Sequence, residues 1–136
     1  MGRILAIDYG TKRVGLATTD PLKIIASALD TVHTQDVLVF LKTYCQTETV
    51  EAFVVGMPVN LDGTATNNTP HVVGFVRQLQ KDFPNTPVHL HDERFTSKMA
   101  LQAMIMGGST KKDRRQKGNI DKISAAIILQ SYMDSL

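Results

Sequence analysis

Three acidic positions are spaced so that they could share one chemistry: Asp8, the Asp92-Glu93 pair and Asp121. Asp8 closes the apolar run Ile4-Leu5-Ala6-Ile7, the pattern of a buried strand. Lys12 and Arg13 follow on a turn that Gly10 permits, and Val14, Leu16 and Thr18 then alternate with small residues as a second strand. A carboxylate at such a strand end is partly desolvated, which is costly unless it meets a cation, a metal ion or hydrogen-bond donors. A turn cap is the plain alternative for Asp8. Asp92-Glu93 closes a later apolar strand. Asp121 falls in the first turn of the final helix, in line with Ala125, Ile128 and Tyr132. That row is apolar, so Asp121 is expected at the boundary of the core. A favourable charge near a helix N-terminus would also account for it.

Carboxylates arriving from two strand ends and one helix start make a hard-cation site, suited to Mg²⁺ or Mn²⁺. Phosphodiester hydrolysis can use two such ions about 3.5–4 Å apart. Lys111, Lys112, Arg114, Arg115, Lys117 and Lys122 crowd into the stretch around Asp121, with Asp113 and Asp121 as its only acids. The net charge of +2 is too small to announce a nucleic acid, but this clustering is the footprint of a phosphate-binding face.

The elements that must position these groups can be read in order. Lys23 to Val32 makes a third strand after the Asp20-Pro21 turn. Thr34 is the expected N-cap of a helix carrying Val37, Phe40, Leu41 and Tyr44 at helical spacing and ending near Cys45 to Thr47. Ala52 to Gly56 is a fourth, central strand. After a polar loop with a turn at Asp62-Gly63, Thr69-Pro70 opens a helix as N-cap and first helical residue. Its buried stripe is Val72, Val76, Leu79 and Phe83. Val88 to His91 is the fifth strand. Thr96 or Ser97 caps a helix running through Met99 to Met106, the basic stretch follows as an exposed loop, and Asn119 caps the last helix.

An opening meander followed by strand–helix–strand alternation implies an α/β fold: a five-stranded mixed sheet, parallel in its second half, flanked by helices on both faces. Sites in such sheets gather at the carboxyl ends of strands. The 136 residues are expected to form one domain, 1–136, with 43% hydrophobic and 21% charged residues, as in ordinary globular proteins. No apolar run approaches the roughly 20 residues needed to span a bilayer. There is no secretory pattern at the N-terminus, and the single Cys45 cannot form an internal disulfide. These features lead us to expect a cytoplasmic protein without a membrane partner. His89 and His91 share a strand face but have no third nitrogen or sulfur ligand in view, so they read as structural. Tyr9 could stack a base, or pack at its strand end.

Four segments together resemble the YqgF/RuvX family of nucleases, whose RNase H-like fold is related to Holliday-junction resolvases. They are Asp8-Tyr9-Gly10-Thr11-Lys12-Arg13-Val14-Gly15-Leu16-Ala17; Gly56-Met57-Pro58 with Asp62-Gly63; Asp92-Glu93-Arg94-Phe95-Thr96-Ser97; and Asp121 with Ala125-Ala126-Ile127-Ile128-Leu129-Gln130. They run in the family's order across nearly the whole chain. Val59 to Asn68 departs from the family's usual glycine-rich version of that loop. The resemblance implies a catalytic, metal-holding triad of Asp8, Glu93 and Asp121, with Asp92 the alternative to Glu93. Strand alternation puts those two on opposite faces, so one of them should serve. It also implies a structural or phosphate-binding role for Arg94, beside the nucleic-acid contacts expected of Lys12, Arg13, Lys111, Lys112, Arg114, Arg115 and Lys117. The function it implies is processing of the 5′ end of pre-16S rRNA in ribosome biogenesis, with a ribosomal partner conceivable. Branched DNA is the alternative substrate, for which a resolvase would act as a homodimer; a monomer is equally compatible with the residues. Two other readings stay open: a non-catalytic nucleic-acid-binding module, and an ATPase, since Asp8-Tyr9-Gly10-Thr11 also resembles the first phosphate loop of sugar kinases and Hsp70 proteins. That second class needs two such lobes, more than this chain supplies.

Overall fold

In the computed structural model, residues 2–58, 64–92 and 117–136 are described, 117–120 by their backbone alone. The chain opens with β1 (Arg3–Tyr9) and β2 (Arg13–Thr19), an antiparallel hairpin in which Asp8 lies opposite Gly15 and Tyr9 opposite Val14. β3 (Ala26–His33) pairs antiparallel with β2. A 3-10 turn (Thr34–Asp36) and α1 (Val37–Thr47) lead to β4 (Val50–Met57), which lies parallel to β1. α2 (Thr69–Asp82) leads to β5 (Val88–Asp92), parallel to β4, and α3 (Lys117–Asp134) comes last. The sheet order is β3-β2-β1-β4-β5. This is the mixed five-stranded sheet expected from the sequence, with β1 at its centre.

Strand alternation sends side chains to two unlike cores. Leu5, Ile7, Val14, Leu16, Phe53 and Val55 meet Val37 and Leu41 of α1 and Val72, Phe75, Val76 and Leu79 of α2. Ile4, Ala6, Ala17 and Val54 meet Ala125, Ile128 and Leu129 of α3. Helices therefore cover both faces. None in the described residues is long and apolar enough to cross a membrane.

Several boundaries differ from the sequence reading, for identifiable reasons. β3 begins at Ala26, three residues later than expected. The Asp20 carboxylate accepts hydrogen bonds from the backbone N–H of Leu22, Ile24 and Ile25 at 3.2, 2.7 and 2.8 Å, which holds the preceding residues in a turn. Lys23 accordingly adopts a left-handed φ of 58°. Thr34 does not cap α1. Its hydroxyl instead donates to the Gly10 carbonyl at 2.6 Å, and Asp36 occupies the cap position without a side-chain cap bond. Thr69 is the first helical residue of α2, not its cap. Its hydroxyl donates to the Pro58 carbonyl at 2.7 Å, while the cap residue Asn68 donates its amide to the Tyr9 carbonyl at 2.9 Å. Asn119 lies inside α3, which starts at Lys117. At Thr34 and Thr69 the hydroxyl expected to cap a helix ties down a loop carbonyl instead, a long-range partner that local spacing does not reveal. The Asp62-Gly63 turn, the Met99–Met106 helix and most of the basic stretch fall outside the described residues. Cys45 is half-buried in α1, and burial pushes its thiol pKa up.

Candidate active site

Asp8 is the last α3-facing residue of β1, continuing the alternation of Ile4 and Ala6. It is half-buried and engaged with neighbouring groups. Opposite it on β2 stands Gly15, and α3 crosses directly over that glycine at Asp121, one turn further into the helix than the sequence reading placed it, because the helix starts at Lys117. A Cβ on Gly15 would overlap the backbone carbonyl of Asp121 and crowd the Lys122 nitrogen. The missing side chain is what admits the helix. Behind Asp121, Ser124, Ala125 and Ile128 are buried, so Asp121 sits at the core boundary as its place on the apolar row predicts.

The link between hairpin and helix is an ion pair: Arg13 Nε donates to Asp121 Oδ2 at 2.9 Å, across 108 residues of sequence. The two side chains are 37% and 26% exposed, so the pair contributes little stability, on the order of 0–1 kcal/mol. Its effect is orientation. One carboxylate oxygen is fixed on the guanidinium and the other is left for a different partner. Arg13 was expected to contact nucleic acid; the structure gives it this internal role as well. Lys12 stays exposed at the tip of the same turn. Gly10 closes that turn where a Cβ would meet the Arg13 carbonyl oxygen at 2.5 Å, and the backbone N–H of Thr34 donates to the Lys12 carbonyl at 3.2 Å.

At the other edge, Asp92 pairs with Met57 at the end of β5. Val88 packs on the α1/α2 core, whereas His89 stacks on Tyr132 of α3 with ring centroids 5.6 Å apart. Asp92 shares the parity of Val88 and Leu90, which is the face away from Asp8. His91 Nε2 hydrogen-bonds Ser131 Oγ at 2.8 Å, so both histidines contact α3. Tyr9 stacks on Phe75 at 4.5 Å and 22°, which is the packing at its strand end that the sequence offered as one of two alternatives. Glu93, Arg94, Lys111, Lys112, Arg114 and Arg115 lie outside the described residues, and Lys117 is described by backbone only, in the first turn of α3. Among the described residues no group of three or more His, Cys, Asp or Glu side chains could hold a metal ion. Thus the structure brings Asp8 and Asp121 to adjoining elements of one sheet end. It also adds Gly15, His33 and Thr34, which sequence reasoning had not connected with the site.

A family model described as "RuvX: Holliday junction resolvase" matches residues 2–135. The chain belongs to the RuvX family. A relative from Amoebophilus asiaticus is 55% identical over 138 residues, covering 99% of this chain and 96% of its own. Another, from Christiangramia forsetii, is 51% identical, covering 98% of each. Both carry the name "Putative pre-16S rRNA nuclease". Among solved structures, Thermus thermophilus RuvC in complex with a Holliday junction substrate matches this RuvX chain with a TM-score of 0.60 at 18% identity. The match covers 99% of this chain and 95% of that one. At that identity the likeness is one of fold, the RNase H-like arrangement.

Proposed function

We propose that this RuvX-family protein is a metal-dependent nuclease that hydrolyses phosphodiester bonds, acting on pre-16S rRNA as the names of its relatives suggest, and on its 5′ end as the family resemblance implies. The observation that carries the reading is the seat of α3 on Gly15. It sets Asp121 across the hairpin from Asp8 and holds it there with Arg13. Two carboxylates from distant parts of the chain are costly to bring together unless a cation offsets their repulsion. Their oxygen donors suit Mg²⁺ or Mn²⁺ better than softer ions.

In this reading Asp8, Glu93 and Asp121 hold the metal. Asp92 lies on the face of β5 turned away from Asp8, which leaves Glu93 the favoured member of the pair, as the family resemblance implies. The bound ion would neutralise charge on the scissile phosphate and lower the pKa of the attacking water. The chain's own contribution is positional. Gly15 admits the helix, Arg13 orients one oxygen of Asp121, and Lys12, Arg94 and the basic residues Lys111, Lys112, Arg114, Arg115 and Lys117 attract the backbone of the nucleic acid. Such a substrate implies the cytoplasm.

The test is cleavage of precursor rRNA and of four-way junction DNA side by side, with Mg²⁺ and with Mn²⁺. Asp8→Asn should abolish cleavage with the fold unchanged; metal-dependent hydrolysis surviving in that variant ends the proposal. The junction arm examines a second reading, resolution of branched DNA, which rests on the family's description and the RuvC-like fold.

A further inference from the structure

Beside the β1–β2 turn, on the flank toward β3, lies an open groove of about 370 Å³. Its lining residues are Thr11, Lys12, Arg13, His33, Thr34 and Gln35. Every one of these side chains can donate a hydrogen bond, none is acidic and none is wholly apolar. His33 stands directly across the β2–β3 ladder from Arg13. The groove is also held in shape. The Thr34 hydroxyl is engaged by the Gly10 carbonyl at 2.6 Å, and the Thr34 N–H by the Lys12 carbonyl at 3.2 Å, so the turn is pinned to the corner after β3.

Arg13 belongs to this groove and to the carboxylate site at once. It reaches Asp121 through Nε alone, leaving its two Nη amines without a partner among the described residues. A guanidinium gripped at Nε still presents a forked pair of donors of the kind that matches phosphate oxygens. Because Asp121 partly neutralises Arg13, the pull on an anion falls first on Lys12.

We propose that this groove is a phosphate subsite that seats a backbone phosphate of the substrate strand next to the one that is cut. Arg13 is the residue that ties the seated phosphate to the metal-binding carboxylates. The inference rests on the nuclease reading for the identity of the strand, but its binding chemistry stands on the groove alone. It places the strand's path over β2 and the β3 corner, which the basic stretch of 111–117 by itself would not require. It also assigns His33 and Gln35, which no motif marks.

The experiment is fluorescence anisotropy of a labelled 12-nucleotide single-stranded RNA on the full chain in EDTA, across a salt series, with inorganic phosphate titrated in parallel. Lys12→Ala, His33→Ala and Gln35→Glu are all exposed substitutions, so loss of fold is not at issue. Each should weaken binding about three- to tenfold, and Lys12→Ala should flatten the salt slope by ~0.7, the share of one single-strand phosphate contact. Binding that is indifferent to all three variants, or no binding by the wild type in EDTA, overturns the subsite and leaves the nuclease reading standing. Inorganic phosphate binding as tightly as the oligonucleotide also overturns it, by making the groove a free-anion site. Metal-dependent cleavage is read separately with Asp8→Asn. If cleavage persists there while the groove variants still lose RNA, the Asp8 carboxylate site falls and the subsite survives.

Discussion

Toward α1 and α2, the sheet offers Leu5, Ile7, Val14, Leu16, Phe53 and Val55; toward α3 it offers Ile4, Ala6, Gly15, Ala17 and Val54, of which Ala6, Gly15 and Ala17 are small. The first set is bulky and fills the space beneath α1 and α2. The second is smaller, and α3 comes close enough for the Asp121 backbone to lie against Gly15. The difference teaches that one face is built chiefly for stability and the other for approach. Large side chains bury area, at roughly 1.5–3 kcal/mol each. Small ones give up some of that gain so that the helix backbone at Asp121 can come down on β2 at Gly15, the residue opposite Asp8.

Substitutions on the two faces should therefore fail differently. Phe53 is fully buried on the bulky face. Phe53→Ala should cost about 3–5 kcal/mol in urea unfolding, while cleavage per folded molecule stays near wild type. A parallel collapse of activity in the folded fraction would break the contrast. On the small face, Gly15→Ala adds one methyl where the helix backbone runs. Lifting α3 by even an ångström should lower cleavage about 100-fold, with a smaller stability loss of roughly 1–3 kcal/mol. Unaltered cleavage in Gly15→Ala would mean that the close approach is not what assembles the site.

Arg13→Gln sharpens the same point. It should shift stability by no more than about 1 kcal/mol, given the exposure of the pair, yet weaken Mn²⁺ binding measured by calorimetry. Equal metal affinity in wild type and variant would reduce Arg13 to a surface ion pair.

The smallest effect lies away from both faces. Backbone N–H groups, that of Ile25 foremost, hold the Asp20 pKa below its ordinary value of 3.8. A depressed carboxylate pKa adds stability above the unfolded-state value, and that stability disappears as pH falls through the folded one. The gap in urea midpoint between wild type and Asp20→Ala should thus be full at neutral pH and close only below the normal carboxylate range. A gap that widens in acid would reverse the assignment.

What the sequence made legible follows local pattern. The alternation of Ile4 to Asp8, the β1–β2 turn and the apolar row behind Asp121 all depend on neighbours one to four residues apart, and all are present. The Arg13–Asp121 pair spans 108 residues, so no spacing rule could have found it. Gly15 read as a small residue in a strand; its purpose appears only once the helix is seen above it. Thr34 and Thr69 carried the right chemistry for helix caps, but loop carbonyls out-competed the helix ends for their hydroxyls. That His89 and His91 share one face of β5 was legible in advance, since alternation needs only the strand itself.

Because Asp8 lies on the central strand made first and Asp121 on the helix made last, catalytic competence should arrive late in synthesis. On the proposed triad, a growing polypeptide that has completed the first four strands carries only one of the three carboxylates, and would not yet cleave the RNA around it. Under that proposal, the order in which the gene is read would act as a safety catch, released when α3 docks.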